Sequence, residues 1–447
     1  MASRPAAGAR LLGRGQARLP RPLPGEERLR LLGRVARSAG ARSFLVGGPV
    51  RDILLGRSSP DSDLAVEGDI RRVGDALATR LGGRFLSHAR FLTGTLLLPD
   101  GGRIDVARCR TERYQRPAVL PAVLPAPVEA DLSRRDFTVN AMAVELTPGR
   151  FGRLIDPHSG QTDLAGRVIR VLHPASFTDD PTRIFRAIRF AVRLEFEIEA
   201  GTLGLMRAAV AAGLPGLLTP GRVLHELRCF CAEEHAPRMF EAARREGLFE
   251  ACFARRPLAA GKPRLWRGEN ETFIRIPERT PGAERRGPGP GFIAGLARLG
   301  RRTREPELLY VYLLAALPDN PRFPVTRGQR EAARAVRRAP GLVRRLARAR
   351  RPSTVYRLLR PLPVPALKVI AATSSPAAED TIGTYLHQLA DVEPLLGGRD
   401  LSALGLRPGP AFRATIERLR QARLDGRVRT REDELALARR LVRRQQG

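Results

Sequence analysis

The feature that most restricts the fold of this chain is the passage from Phe44 to Val66, FLVGGPVRDILLGRSSPDSDLAV. Phe44-Leu45-Val46 reads as a short strand that runs into the pair Gly47-Gly48. Pro49 suits the first turn of a helix, because the N–H it lacks would have no intrahelical partner there. The helix PVRDILLG follows, and Asp63 to Val66 reads as the next strand. Strand, turn, helix and strand in so short a span require a mixed α and β module. Such a strand-to-helix turn presents backbone N–H groups and the positive end of a helix dipole, which suits a phosphate. Arg51, on the first turn, can reach such phosphates. A tight turn alone explains a glycine pair equally well, so the weight falls on the neighbouring residues.

Asp61-Ser62-Asp63 has the composition of an ordinary polar turn. If both carboxylates lie on one strand, their side chains share a face, because strand side chains alternate. Two carboxylates on one face can hold Mg²⁺, which takes carboxylate and phosphate oxygens. Asp105, in RIDVARC, sits in a second predicted strand and adds a third carboxylate. Metals held this way activate an attacking hydroxyl and neutralise a leaving pyrophosphate.

Two further stretches carry chemistry. In DLSRRDFTVNAMA, residues 131–143, Asp136 either pairs with one of Arg134 and Arg135 or caps a helix starting at Phe137. The other arginine is then available for phosphate or ribose. In FTDDPTRIFRAIRFAVRLEF, residues 177–196, Asp179 is the expected N-cap and Pro181 lies in the first turn. Asp180, Arg183, Arg186 and Arg189 then recur every three residues as one stripe, with Ile184, Phe185, Ile188 and Phe190 on the apolar side. A surface ion-pair ladder has the same spacing. Read as a base template, a carboxylate accepts from the exocyclic amine of C or A while a guanidinium donates to the ring nitrogen. U and G present the reverse pattern.

The remainder is read more coarsely. Residues 26–39 and 69–81 have helical spacing, and RFLTGTLLL and RIDVARC read as a pair of strands. Residues 113–130 are punctuated by proline and read as an irregular loop. From about Pro181 onward the pattern is helical, with Pro/Gly-rich breaks near 255–292 and 361–365. Lys+Arg total 78 against 46 Asp+Glu, a net charge of +32, which favours a polyanionic partner such as nucleic acid. Lys262 and Lys368 are the chain's lysines, so arginine enrichment by a GC-rich genome inflates the size of that charge. Cys109, Cys229, Cys231 and Cys252 form no C-x-x-C pair and read as reduced thiols of a cytoplasmic protein. The six histidines are scattered, which argues against an appended phosphohydrolase domain. No apolar run approaches the ~20 residues of a membrane span. The first 22 residues are basic and lack an apolar signal region.

Taken in order, VGGPVRDILLGRSSPDSDLAVEG, RIDVARCRTERY, DLSRRDFTVNAMA, IDPHSGQTDLAGRVIR and DDPTRIFRAIRFA resemble the class II tRNA nucleotidyltransferase/poly(A) polymerase family of the polymerase β superfamily. The C-terminal GLRPGPAFRATIERLRQARLDGRVRTREDEL is similar to the family's tail, and the motif-dense part covers about residues 42–200. The resemblance implies an α+β chain: a small mixed-sheet nucleotidyltransferase head followed by an all-helical neck, body and tail. The boundaries implied are a disordered basic extension at 1–22, the head at 23–172 and the neck at 173–254. A linker or mobile loop at 255–292 and a tRNA-binding body and tail at 293–447 complete them.

Carried over residue by residue, Asp61 and Asp63 would bind Mg²⁺, with Asp105 a structural inference beside them. Gly47, Gly48 and Arg51 would meet the triphosphate, and Arg135 would hold the incoming nucleotide. Asp180 and Arg183 would read its base, supported by Arg186 and Arg189. The implied reaction is transfer of CMP and AMP from CTP and ATP to the tRNA 3′ end, with release of pyrophosphate. Related alternatives are poly(A) polymerase and specialised CC-adding or A-adding enzymes; a different class is a non-catalytic RNA-binding protein on the same scaffold. The segment between the metal pair and RRDFT is not shortened, which disfavours a CC-only enzyme. Neither a protein partner nor a membrane is expected. Two departures from the family pattern stand out. Gly221 replaces the usual Glu before Arg222, with Glu226 retained, and AVLPAVLPAPVE is stiffer than a segment that moves between C and A addition.

Overall fold

The computed structural model describes Leu19 and residues 22–57, 63–253, 265–267, 272–274, 290–318 and 320–446. Two compact units result, one of Met1–Glu226 with Arg238–Arg286 and one of Leu227–Pro237 with Gly287–Gly447.

The first unit is built on α1 (Glu26–Ser38), β1 (Arg42–Val46), α2 (Gly48–Leu54), β2 (Asp63–Glu67), α3 (Ile70–Leu81), β3 (Arg84–His88), β4 (Thr93–Leu97) and β5 (Arg103–Arg108). Then come β6 (Arg110–Arg113), β7 (Ala122–Pro125), α4 (Val128–Ser133), β8 (Ala143–Glu145), β9 (Leu154–Ile155), α5 (Gly160–Ala165) and β10 (Val168–Ile169). The main sheet has the order β3-β4-β5-β2-β1-β8-β9. Within it β2 and β5 run parallel, whereas β1 is antiparallel to both β2 and β8.

Alternation along β2 explains the placement of Asp63. Leu64 and Val66 are buried on one face, and α1 and α3 pack on the sheet. Ala65, on the face of Asp63, packs with Val128 and Leu132 of α4, and with Phe44, Val46 and Ala143. Asp63, at the start of β2, is left half-buried. Asp69 accepts from the Arg71 and Arg72 amides and so caps α3.

The chain continues through α6 (Ser176–Asp179), α7 (Thr182–Leu194), β11 (Glu197–Ile198), α8 (Ala200–Ala211) and α9 (Pro220–Cys231). The buried face of α7 includes Ile184, Phe185, Ile188, Phe190 and Leu194.

The second unit is helical. Helices Pro306–Ala316 and Val364–Thr373 bury Leu308, Leu309, Leu313, Leu314, Leu367, Val369 and Ile370. Helices Pro410–Leu424 and Arg431–Gln446 close around Leu396, Leu401, Leu406, Leu419, Ala438 and Val442. A mixed-sheet head with a mostly helical remainder is the α+β class expected. No described helix is long and apolar enough to cross a membrane.

Three local readings change. The supposed loop at 113–130 contains β7, paired antiparallel with β6, and the start of α4. Prolines hid the strand because they sit at its ends and flanks, where no ladder donor is lost. Asp179 ends α6 and is no cap for α7, whose N-cap is Pro181 without a side-chain hydrogen bond; Asp180, which follows α6, accepts from the amide and hydroxyl of Thr182 at 3.0 and 2.7 Å. Strand β3 has no run of strongly apolar residues and went unread. Within 255–292, Leu265–Arg267 pairs with Thr272–Ile274 and Pro290 opens a helix; the rest lies outside the described residues. So do residues 1–18, whereas Leu19 is buried and its amide donates to the Gly152 carbonyl.

Candidate nucleotide-binding site

A cleft of 560 Å³ opens in the first unit between the end of β1, the β6–β7 hairpin and the face of α7. Nine arginines line it against five carboxylates, so its field suits a polyanion. Its size lies within the usual range for small-molecule sites.

The glycine turn forms one wall. Gly47 has φ 75° and ψ −128°, a conformation open to glycine and not to residues with a Cβ. A Cβ there would also stand 2.7 Å from Nη1 of Arg135. The Gly47 amide donates to the Met142 carbonyl, which ties the turn to the sheet, and α2 begins at Gly48. Arg51 lines the cleft but is buried and engaged. Its Nη1 donates to Asn140 at 2.7 Å, and its Nε and Nη2 donate to Asp52.

Asp63 borders the cleft and also an adjoining recess of 300 Å³, which Thr95, Asp105 and Arg135 help to line. Asp63 and Asp105 are direct partners in the β2–β5 register, so both side chains leave the sheet on one face. Thr95 donates to Asp105 at 2.8 Å, and Arg103 lies 3.4 Å from it. Asp61, the expected companion of Asp63, lies outside the described residues. Among the described residues no group of three or more His, Cys, Asp or Glu side chains is placed to hold a metal.

The double arginine is organised differently from the sequence reading. Asp131, on α4, accepts from both: Arg134 at 2.7 Å and Arg135 at 3.0 Å. Burial pushes the Asp131 carboxyl up, but the Arg135 and Arg134 guanidinia outweigh that and hold it below the usual carboxylate range. Asp136 pairs with neither neighbour; it binds Arg186 of α7 at 2.6 Å and accepts from Asn140. Its burial alone would raise its pKa, yet the Arg186 contact brings it below normal. The helix expected at Phe137 is a single 3₁₀ turn, Thr138–Asn140. Arg135 retains a buried Nε without a hydrogen-bond partner among the described residues.

Asp180, just before α7, and Arg183, Arg186 and Arg189 on it all line the cleft. Their partners were not legible. Arg183 is buried and donates to the Ser176 hydroxyl and the Arg134 carbonyl, each at 2.7 Å. Arg189 approaches Glu226 at 4.0 Å. Asp180 is bound by Arg222 of α9 at 2.6 Å. Sequence reading noted Arg222 only as a retained family residue. Glu112 and Tyr114 were also missed; Glu112 accepts from Tyr114 at 2.9 Å and from Arg134 at 2.8 Å. Their signal was the alternation in RTERY, masked by the proline-rich stretch after it.

Residues 43–170 match the Poly A polymerase head domain. An A-adding tRNA nucleotidyltransferase of Halalkalibacterium halodurans is 31% identical over 415 residues, covering 92% of this chain and 91% of the relative. One of Geobacter sulfurreducens is 35% identical over 436 residues, or 94% of this chain, which spans only 47% of that longer protein. A solved CCA-adding enzyme in its apo form II superposes with a TM-score of 0.72 at 29% identity, over 92% of this chain and 94% of that one. The motifs, the fold and these matches along most of the chain converge: it belongs to the class II tRNA nucleotidyltransferase family and is a nucleotidyltransferase.

Proposed function

We propose that this enzyme transfers CMP and AMP from CTP and ATP to the 3′ end of tRNA in the cytoplasm, releasing pyrophosphate. One observation carries the reading: Asp63, in register with Asp105, sits at the edge of an arginine-rich cleft that also takes in the Gly47-Gly48 turn and the α7 stripe. The oxygen-only donors on this face fit a hard divalent cation such as Mg²⁺. Asp61, Asp63 and Asp105 would hold it. When bound, such ions lower the charge barrier for hydroxyl attack at the α-phosphate and for pyrophosphate departure.

The chain's own groups do the rest. Arg135, which lines the cleft with its Nη1 against Gly47, meets the triphosphate beside the glycine turn. Arg51 acts at one remove, by holding Asp52 and Asn140 in place. Asp180 accepts from the exocyclic amine of C or A, and Arg183 donates to the ring nitrogen. The basic helical body and tail take the tRNA, with phosphate contacts that weaken as salt rises.

A second reading is addition of A alone, favoured because the Halalkalibacterium halodurans and Geobacter sulfurreducens relatives, each matched by sequence along more than nine-tenths of this chain, are A-adding enzymes. The test supplies purified protein with tRNA ending before, and after, its CC residues, and with CTP and ATP separately and together. Full CCA synthesis on the shorter tRNA supports the first reading. A addition confined to the CC-ended tRNA supports the second. Long A tails on unrelated RNA would establish polyadenylation, and binding without incorporation a non-catalytic RNA-binding protein.

A further inference from the structure

Arg222 makes two contacts that neither the motifs nor the chemistry above requires. Its Nη2 donates to Oδ1 of Asp180 at 2.6 Å, and its Nη1 donates to the backbone carbonyl of Ala118 at 2.9 Å. Ala118 lies between β6 and β7 and has φ 61°, a left-handed conformation that an alanine adopts only when held. The same hairpin sends Leu120, Pro121 and Val123 into the cleft wall. A single planar guanidinium therefore joins the carboxylate that faces the base to the wall that closes over it. Arginine's rigid fork fixes both distances together, which a lysine cannot do.

The hydrogen bonds to Asp180 fall on one oxygen. Oδ1 accepts from the Thr182 amide, the Thr182 hydroxyl and Arg222. Among the described residues Oδ2 has no hydrogen-bond donor. With Oδ1 filled, rotation of the carboxylate is blocked, and Oδ2 is the acceptor left for a ligand.

We propose that Arg222 is a specificity-determining positioning residue: by filling Oδ1 of Asp180 and clasping the Ala118 carbonyl, it leaves a single fixed acceptor that favours bases bearing an exocyclic amine. The proposal rests on the reading of Asp180 as a base-recognition group. Without Arg222 the carboxylate can turn, and the hairpin wall loses its tie to Asp180 and α9. Bases presenting a carbonyl at that edge, U and G, are then excluded less strictly.

The experiment measures kcat and KM for CTP, UTP, ATP and GTP on a truncated tRNA with the parent enzyme, Arg222→Gln and Arg222→Lys. Tm is recorded for each. The expected result is a fall of about tenfold or more in the CTP/UTP and ATP/GTP ratios of kcat/KM for Arg222→Gln, the loss typical of a charge-assisted hydrogen bond. Arg222→Lys recovers charge without the two-point clasp, so its ratios recover only in part. Equal losses on all four nucleotides, with unchanged ratios in both variants, would overturn the proposal and leave Arg222 a structural residue. If either variant has a lowered Tm, the ratios are read below its melting transition, where they still decide. Absence of incorporation by the parent enzyme would instead sink the functional reading itself.

Discussion

Asp63 and Asp105 occupy the same rung of two neighbouring parallel strands, and Thr95 of the next strand holds Asp105 by a 2.8 Å hydrogen bond. This makes Asp105 part of the proposed carboxylate set on geometry alone. Asp105→Asn is expected to lower kcat by about 100-fold or more, on the scale of lost transition-state charge stabilisation, with little change in Tm. Activity should vanish with a chelator and return with added divalent cation. An Asp105→Asn enzyme at parental rate would remove Asp105 from the set.

Gly47 tolerates no side chain. Its φ of 75° and the 2.7 Å approach of a Cβ to Arg135 both oppose one. Gly47→Ala should cost about 1–3 kcal/mol of stability, the range for strained backbone at functional sites. It should also raise KM for nucleotides by displacing Arg135. Thermal unfolding and initial-rate kinetics check the two effects separately.

Asp136 and Arg186 join the segment after α4 to α7. Asp136 is buried while a third of the Arg186 side chain is exposed, which softens the penalty for breaking the pair. Asp136→Asn should cost about 2–3 kcal/mol, below the range for a fully buried pair. The folded-state pKa of Asp136 lies below its ordinary 3.8. The stabilisation is therefore present above that ordinary value and is lost as pH falls through the lower, folded one. The Tm gap between parent and variant should be full at neutral pH and narrow below about pH 4.

Glu226 shows the opposite sign. Burial raises its pKa above the ordinary 4.5 despite Arg186 and Arg189 nearby, and its Oε2 is buried without a hydrogen bond among the described residues. Its protonated form is the one the fold favours, so the stabilisation is full below 4.5 and lost as pH rises through the folded value. Glu226→Gln imitates that form. Its Tm should exceed the parent's at pH 8, and the advantage should fade as the pH drops towards 4. A lower Tm for the variant at pH 8 would contradict this.

Much of the site was legible because local rules fix it. A strand ending in Gly-Gly-Pro can do little else than turn into a helix; the expected second strand carries Asp105 beside Asp63, and the three-residue spacing brings Asp180, Arg183, Arg186 and Arg189 to one cleft. What escaped reading depends on distant partners. Nothing local shows that Asp136 passes over Arg134 and Arg135 to bind Arg186, 50 residues on. Nor does it show that Asp131 claims both arginines, or that Arg222 reaches Asp180 across 42 residues. Strand β7 was hidden for a different reason: proline composition mimics a loop, and only pairing with β6 reveals the hairpin.

The most direct test is the single-turnover rate of CMP and AMP addition to a truncated tRNA by the parent enzyme and by Asp63→Asn, with nucleotide binding measured alongside. The account predicts addition by the parent and a loss of about 1,000-fold or more in the variant, as expected when transition-state charge loses its support, while CTP and ATP still bind. Equal rates for the two proteins, or no addition by the parent, would contradict it.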